Sequence, residues 1–202
     1  MKTEQLSEAT IDADPFRQFS IWYARHLENG DAIPDSVSLG TSPRSGRVSV
    51  RTVLLKGYDS RGFVFFTNYN SRKAVHLSEN PFAALHFHWQ ESGRQVRIEG
   101  ITEKVPDTES EAYFATRPRE SQLSAWASEQ SASIPGRPYL EKRYESFDNH
   151  FAGKPVGKPP HWGGYRLIPD LFEFWQDGEF RLHDRIQYTL TSGKWVKQRL
   201  AP

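Results

Sequence analysis

The apolar and polar positions of this chain divide it into one early helix, a run of strands, a helical block and a closing run of strands. Asp14 followed by Pro15 reads as a helix cap and first helical residue. Phe16, Phe19, Trp22, Tyr23 and Leu27 then recur at helical spacing, and Gly30 supplies a stop. The spacing predicts an amphipathic helix with its aromatic stripe turned inward. From residue 37 the period changes to two, and SVSL, RVSVRTVLLK and GFVFFTN read as strands broken by the turns TSPRSG and YDSRG. SRKAVHLSEN reads as a short helix ended by Asn80-Pro81. FAALHFHW and RQVRIEGITEKV follow as strands around QESG, then helical stretches at roughly 107–116, 119–129 and 138–151. After GKPVGKPP, the segments WGGYRLIP, LFEFWQ, RLHDRIQYTLT and WVKQRLA read as strands again.

Strands joined by such short turns are antiparallel, because a parallel crossover needs about a dozen residues. The expected fold is mainly β with helices (α+β), an antiparallel, Greek-key-like barrel with helices packed against it. Residues 1–13 are polar and aperiodic and read as a mobile tail, leaving 14–202 as a single domain.

Composition narrows the function classes. Of 202 residues, 37% are hydrophobic and 13% aromatic, enough for a packed core and too many for a disordered chain. No cysteine is present, which removes disulfides, thiolate metal sites, iron–sulfur clusters and cysteine nucleophiles. That absence fits a reducing, cytoplasmic setting. No apolar run approaches the roughly 18 residues of a membrane span, and MKTEQLSEAT lacks a signal peptide's apolar stretch, so no membrane partner is expected. Lys plus Arg number 26 against 25 Asp plus Glu, which argues against a nucleic-acid binder. An anion site here has to be a local gathering of cations.

Three segments could make one. Ser71 can cap a helix whose first turn holds Arg72 and Lys73, where the helix dipole disfavours cations unless an anion binds. A solvated helix start with ordinary surface charges is the alternative. Arg181, His183 and Arg185 alternate onto one face if RLHDR is extended, and they repel unless a ligand lies across them or Asp184 offsets them. Tyr113, Arg117 and Ser121 fall in one line on a continuous helix, or around a turn if Pro118 breaks it, and suit a phosphate monoester. His86 and His88 share a strand face but lack a third ligand, so no metal site is expected. Trp162-Gly163-Gly164 marks a close backbone approach, to a ligand or to the protein's own packing.

RTVLLK (51–56), GFVFFTNYNSRK (62–73), NPFAALHFHW (80–89), RQVRIEG (94–100), FATRPRESQLSAWASEQS (114–131), PPHWGGYRLIP (159–169), FEFWQ (172–176), RLHDR (181–185) and RLAP (199–202) together closely resemble the pyridoxine/pyridoxamine 5′-phosphate oxidase family. The match runs in order from about residue 35 to the last residue. The resemblance implies an FMN-binding split β-barrel and a homodimer with active sites at the subunit interface. It places FMN against Arg51, Thr52, Val53, Leu54, Leu55 and Lys56, and against Phe66, Thr67, Arg72, Lys73 and Gln95. Gln130, Ser131, Trp175 and Arg185 would reach that FMN from the partner subunit. Lys56, Tyr113, Arg117 and Ser121 would hold the substrate phosphate, with Arg181 and His183 facing the pyridine ring as catalytic residues.

The implied reaction oxidises pyridoxine or pyridoxamine 5′-phosphate to pyridoxal 5′-phosphate, with O2 reduced to hydrogen peroxide. Nothing in MKTEQLSEATIDAD matches the Arg/Tyr-bearing N-terminal segment that family members can fold over the site. A related phenazine-biosynthesis oxidase and a non-catalytic pyridoxal phosphate binder are the alternative readings.

Overall fold

A computed structural model describes residues 5–28, 30 and 33–202. Helix α1 spans Pro15–Glu28. The Asp14 carboxylate accepts the Phe16 N–H at 2.9 Å, the expected cap. Gly30 adopts φ 76°, the left-handed conformation that ends helices. Phe19 and Trp22 are buried, but Leu27 is 47% exposed and His26 takes the inward position instead. His26 Nε2 lies 3.0 Å from the Pro34 carbonyl and its ring stacks on Trp89, so a polar side chain fills that place at no hydrogen-bonding loss.

Nine strands among the described residues form one antiparallel sheet: β1 (Ser36–Thr41), β2 (Ser49–Leu54), β3 (Gly57–Asp59), β4 (Gly62–Asn68), β5 (Phe82–Trp89), β6 (Arg94–Lys104), β7 (Trp162–Gln176), β8 (Asp184–Thr191) and β9 (Lys194–Leu200). They run in the order β2-β1-β5-β6-β7-β4-β3, with β8 and β9 branching from β7. The sheet curls until β2 lies against β4, where the Lys56 N–H donates to the Val64 carbonyl at 2.8 Å.

WGGYRLIP and LFEFWQ, read as two strands, are one. β7 pairs with β6 along its length, with β4 through its first half and with β8 through its second. Pro169 does not break it because the register shifts there, between Glu99 and Gly100. A Cβ on Gly100 would fall 2.0 Å from the Ile168 carbonyl oxygen, so the close crossing requires glycine.

Phe19, Phe63, Phe87, Phe172, Phe174 and Tyr188 fill the main core inside the curl. The remaining helices are α2 (Arg72–Glu79), α3 (Asp107–Thr116), α4 (Arg119–Ala127) and α5 (Arg137–His150). Phe114, Leu123, Val156 and Trp162 make a second cluster that seats the helical block beside the sheet. The junction between these two clusters positions the site. No helix among the described residues is long and apolar enough to cross a membrane.

Residues 5–13 differ from the expected tail, whose residues 1–4 lie outside the described ones. Leu6 and Ile11 are buried, the Tyr188 hydroxyl donates to the Asp12 carbonyl at 2.5 Å, and Arg199 bridges Glu8 and Asp184. The Arg199 guanidinium holds the Glu8 carboxyl down at about 2. Two isolated apolar residues carry no periodicity, so this docking on β8 and β9 was invisible to pattern reading.

Candidate functional site

A cleft of about 870 Å³ opens between β2, the junction of β4 with α2, and the junction of α3 with α4. Arg51, Lys56, Arg72, Lys73 and Arg117 line it, and no Asp or Glu among the described residues does. Like charges so gathered repel one another unless an anion joins them.

Lys73 is the most enclosed of the five, only 8% exposed. Its Nζ donates to Thr67 Oγ1 and Gln130 Oε1, both at 3.1 Å, and reaches Ser71 Oγ at 3.4 Å. Ser71 therefore heads α2 without its side chain capping it, because the hydroxyl serves the lysine instead. Burial, assisted by nearby Arg51, pushes the Lys73 ammonium down to about 8. The Arg51 guanidinium is likewise lowered, by burial and then by Arg72, while it donates to the Leu39 carbonyl and Thr41 Oγ1. Neither Lys73 nor Arg51 pairs with a carboxylate among the described residues. Lys56 differs, being engaged by Asp35.

The Tyr113, Arg117 and Ser121 trio does not lie on one continuous helix. α3 ends at Thr116, Arg117 is extended, and Pro118 precedes α4, so a turn presents Arg117 to the cleft. Burial lowers the Arg117 guanidinium, and its Nη1 is buried without a hydrogen-bond partner among the described residues. The group sits over the Trp162 ring, 4.9 Å from its centroid.

Phe66, Tyr113 and Trp162 form a cluster of nearly parallel rings, with Phe66 4.1 Å from Tyr113 and 5.2 Å from Trp162 between centroids. The two glycines after Trp162 serve this wall. A Cβ on Gly164 would fall 2.8 Å from the Phe66 ring, and one on Gly163 2.2 Å from the Tyr69 hydroxyl oxygen. The close approach is thus to the protein's own rings.

Of the remaining expected residues, Thr52, Val53, Leu54, Thr67, Gln130 and Ser131 also line the cleft. Ser131 holds φ 74°, a strained conformation for a non-glycine residue. Leu55 does not line it: strand alternation turns its side chain into the main core. Asn68, Ser124, Ser128 and Trp162 line the cleft but were not singled out for it. All four sit inside the quoted segments, Asn68 in GFVFFTNYNSRK, Trp162 in PPHWGGYRLIP and the two serines in FATRPRESQLSAWASEQS.

A second group lies away from the cleft. Gln95, Trp175 and Arg185 are in register across β6, β7 and β8. Arg185 is held by Glu173 at 2.9 Å, and Gln95 Oε1 by His86 Nε2 at 2.9 Å. The expectation that Arg181, His183 and Arg185 share a strand face fails. β8 begins only at Asp184, and Phe180 and Arg181 both adopt positive φ in the turn before it. The His183 ring instead packs on Trp175, with centroids 4.6 Å apart. None of these five site residues, Gln95, Trp175, Arg181, His183 and Arg185, lines the cleft. Within one chain, three of the expected residues group otherwise than the resemblance implies. Gln95, assigned to the FMN of its own subunit, stands with the distant group, while Gln130 and Ser131, assigned to the partner's FMN, line their own chain's cleft. The reason is connectivity: β6 carries Gln95 to the β7 side of the sheet, whereas the chain leaving α4 returns to Thr67 and Lys73.

Comparison with known proteins agrees with this architecture. Residues 32–151 match the family model described as pyridoxamine 5′-phosphate oxidase. Residues 162–202 match one described as the pyridoxine 5′-phosphate oxidase C-terminal dimerisation region. A pyridoxine/pyridoxamine 5′-phosphate oxidase of Rubrobacter xylanophilus is 50% identical over 197 residues, covering 98% of this chain and 91% of the relative. One from Cupriavidus taiwanensis is 51% identical over 198 residues, covering 98% and 93%. Among solved structures, PhzG from Burkholderia lata, in complex with tetrahydrophenazine-1-carboxylic acid, superposes with TM-score 0.92 at 27% identity over the whole of both chains. An FMN-binding, pyridoxamine 5′-phosphate oxidase-related protein of Nostoc punctiforme gives TM-score 0.75 at 17% identity, covering 95% of this chain and all of its own, a likeness of fold. The expected split barrel holds, and the chain belongs to the pyridoxine/pyridoxamine 5′-phosphate oxidase family.

Proposed function

We propose that this protein oxidises pyridoxine 5′-phosphate and pyridoxamine 5′-phosphate to pyridoxal 5′-phosphate, with FMN as cofactor and as a homodimer. One observation carries the reading: five cations line a cleft that no acidic side chain among the described residues lines, and neither the buried Lys73 nor the half-buried Arg117, whose Nη1 is itself buried, pairs with a carboxylate there. They stand on different elements and fit two phosphoryl groups, one of the cofactor and one of the substrate.

Lys73, with Thr67, Gln130, Arg51 and Arg72, would hold the FMN phosphate. Arg117, with Tyr113, Ser121 and Lys56, would hold the substrate phosphate. The binding energy of that remote phosphate is then available to orient the reacting carbon. When bound, the flavin supplies a two-electron acceptor for the hydride leaving the substrate, and O2 restores it with release of hydrogen peroxide. Gln95, Trp175, Arg181, His183 and Arg185 would complete the site from the partner subunit, consistent with the match of residues 162–202 to a dimerisation region. There Arg181 would cover the pyridine ring and His183 would hold or orient a proton at its Nε2.

The purified protein should be yellow, release FMN on denaturation, and consume O2 as it forms pyridoxal phosphate from either phosphorylated vitamer. A colourless protein with a bound aldehyde would overturn this in favour of a carrier, and turnover of a reduced phenazine carboxylate alone would favour the chemistry of the PhzG branch. Arg117→Ala should leave flavin content intact and raise KM roughly 10- to 150-fold, the loss of one charge-assisted contact of about 1.5–3 kcal/mol. An unchanged KM would remove Arg117 from the substrate site.

A further inference from the structure

Glu173, on β7, is a carboxylate only 5% exposed, and its two oxygens go to two arginines on different strands. Arg97, directly opposite on β6, donates from Nη2 to Oε2 at 2.7 Å. Arg185 lies opposite Trp175 on β8, and its Nε donates diagonally to Oε1 at 2.9 Å. Diagonal neighbours on antiparallel strands are within reach of long side chains, so strand register brings the three together.

The two arginines depend on this carboxylate unequally. Arg97 also makes a 2.8 Å ion pair with Glu99, whereas Glu173 is the one carboxylate that Arg185 meets among the described residues. Gln187, directly opposite Glu173 on β8, is engaged by Gln198 at 3.0 Å instead.

Arg185 is held at a second point. Its Nη1 donates to the Ala201 carbonyl at 2.9 Å, in the segment RLAP that the sequence singles out and the cleft does not use. β9 delivers that carbonyl, because Leu200 is the cross-strand partner of Arg185. A planar guanidinium fixed at both Nε and Nη1 has its orientation set. Of its five N–H groups, the two on Nη2 have no partner among the described residues, and that nitrogen is not sealed from solvent.

We propose that Glu173 is a positioning residue: it fixes the Arg185 guanidinium in advance and so presents its Nη2 end to the FMN of the partner subunit. The inference rests on the flavin contact proposed above for Arg185. An arginine left loose gives up rotamers when it meets a ligand. Held by Glu173, it has given them up on folding, and the contact with the flavin is stronger for it.

A double-mutant cycle on FMN affinity tests this, with the stripped protein titrated and flavin fluorescence followed. Arg185→Met should weaken binding about tenfold or more, the loss of a charge-assisted contact. Glu173→Ala should weaken it about fivefold or more in the wild type. In the R185M background the same substitution should add less than about twofold, because the residue it acts through is gone. A general stabilising role for Glu173 would lower affinity by the same factor in both backgrounds. Should E173A not fold, Glu173→Leu, which keeps the bulk of the side chain and offers no acceptor, runs the same cycle. Equal losses in the two backgrounds, or wild-type affinity in E173A beside a weakened R185M, overturn the proposal and leave the Arg185 contact standing. Wild-type affinity in R185M removes Arg185 from the flavin, and the role of Glu173 falls with it.

Discussion

Replacing Lys73 by methionine is expected to weaken FMN binding by roughly 10- to 150-fold while raising the melting temperature of the flavin-free protein. The two effects share one cause. The Lys73 ammonium is buried without a carboxylate partner among the described residues, and burial lowers it from 10.5 to about 8. A depressed folded-state value for a base means that the unfolded chain binds the proton more readily. The penalty on the empty protein is therefore fully present below pH 8, of order 3 kcal/mol, and is relieved as pH rises from about 8 to 10.5. Methionine has a similar reach and no charge to desolvate, so it removes the penalty, at the loss of hydrogen bonds to Thr67 and Gln130. The net gain should be a few degrees in Tm.

An anion in the cleft reverses the balance, since it gains charge-assisted bonds worth about 1.5–3 kcal/mol from the protonated lysine. For the same reason FMN affinity of the wild type should fall as pH rises above about 8, where the empty site loses its proton. Flavin titration from pH 7 to 10, with thermal melts of the stripped protein, checks both arms. Equal flavin affinity in wild type and K73M would refute the assignment of Lys73 to the cofactor phosphate.

Mixing two inactive variants should restore activity. Lys73→Met impairs the cleft, and His183→Ala impairs the distant group, which does not line the cleft of its own chain. If a two-fold dimer completes each site from both subunits, a mixed dimer holds one doubly impaired site and one intact site. Random reassortment of equal amounts makes about half the dimers mixed, so roughly a quarter of wild-type activity should return. Differently tagged subunits, refolded together and purified through both tags, would give about half. Activity that remains at the sum of the two variants would show that each subunit assembles its site alone.

Much of this molecule is legible along the chain, and the errors are local in cause. The Asp14 cap, the helix starts near 107, 119 and 138, and the antiparallel strands follow from periodicity and punctuation. Pro169 misleads because its missing N–H forbids a regular ladder position, and only the shifted register opposite Gly100 accommodates it. RLHDR misleads because alternation alone cannot register that Phe180 and Arg181 turn left-handed before the strand begins. Leu27 and His26 exchange places because the Pro34 carbonyl and the Trp89 ring meet the imidazole, partners distant in sequence.

The sequence alone determines the order and kind of the elements, the absence of thiol chemistry and the presence of cations at a helix start and beside Pro118. These are properties of neighbouring residues, and short-range sterics and burial suffice to express them. Tertiary structure decides which cations share one cleft, that no carboxylate among the described residues lines it, that Gln130 stands with Lys73 and Gln95 does not, and that Asp177 meets His183. Those outcomes depend on strand register and on the path of the chain between elements, which pairs residues far apart in sequence. No local pattern encodes such a pairing.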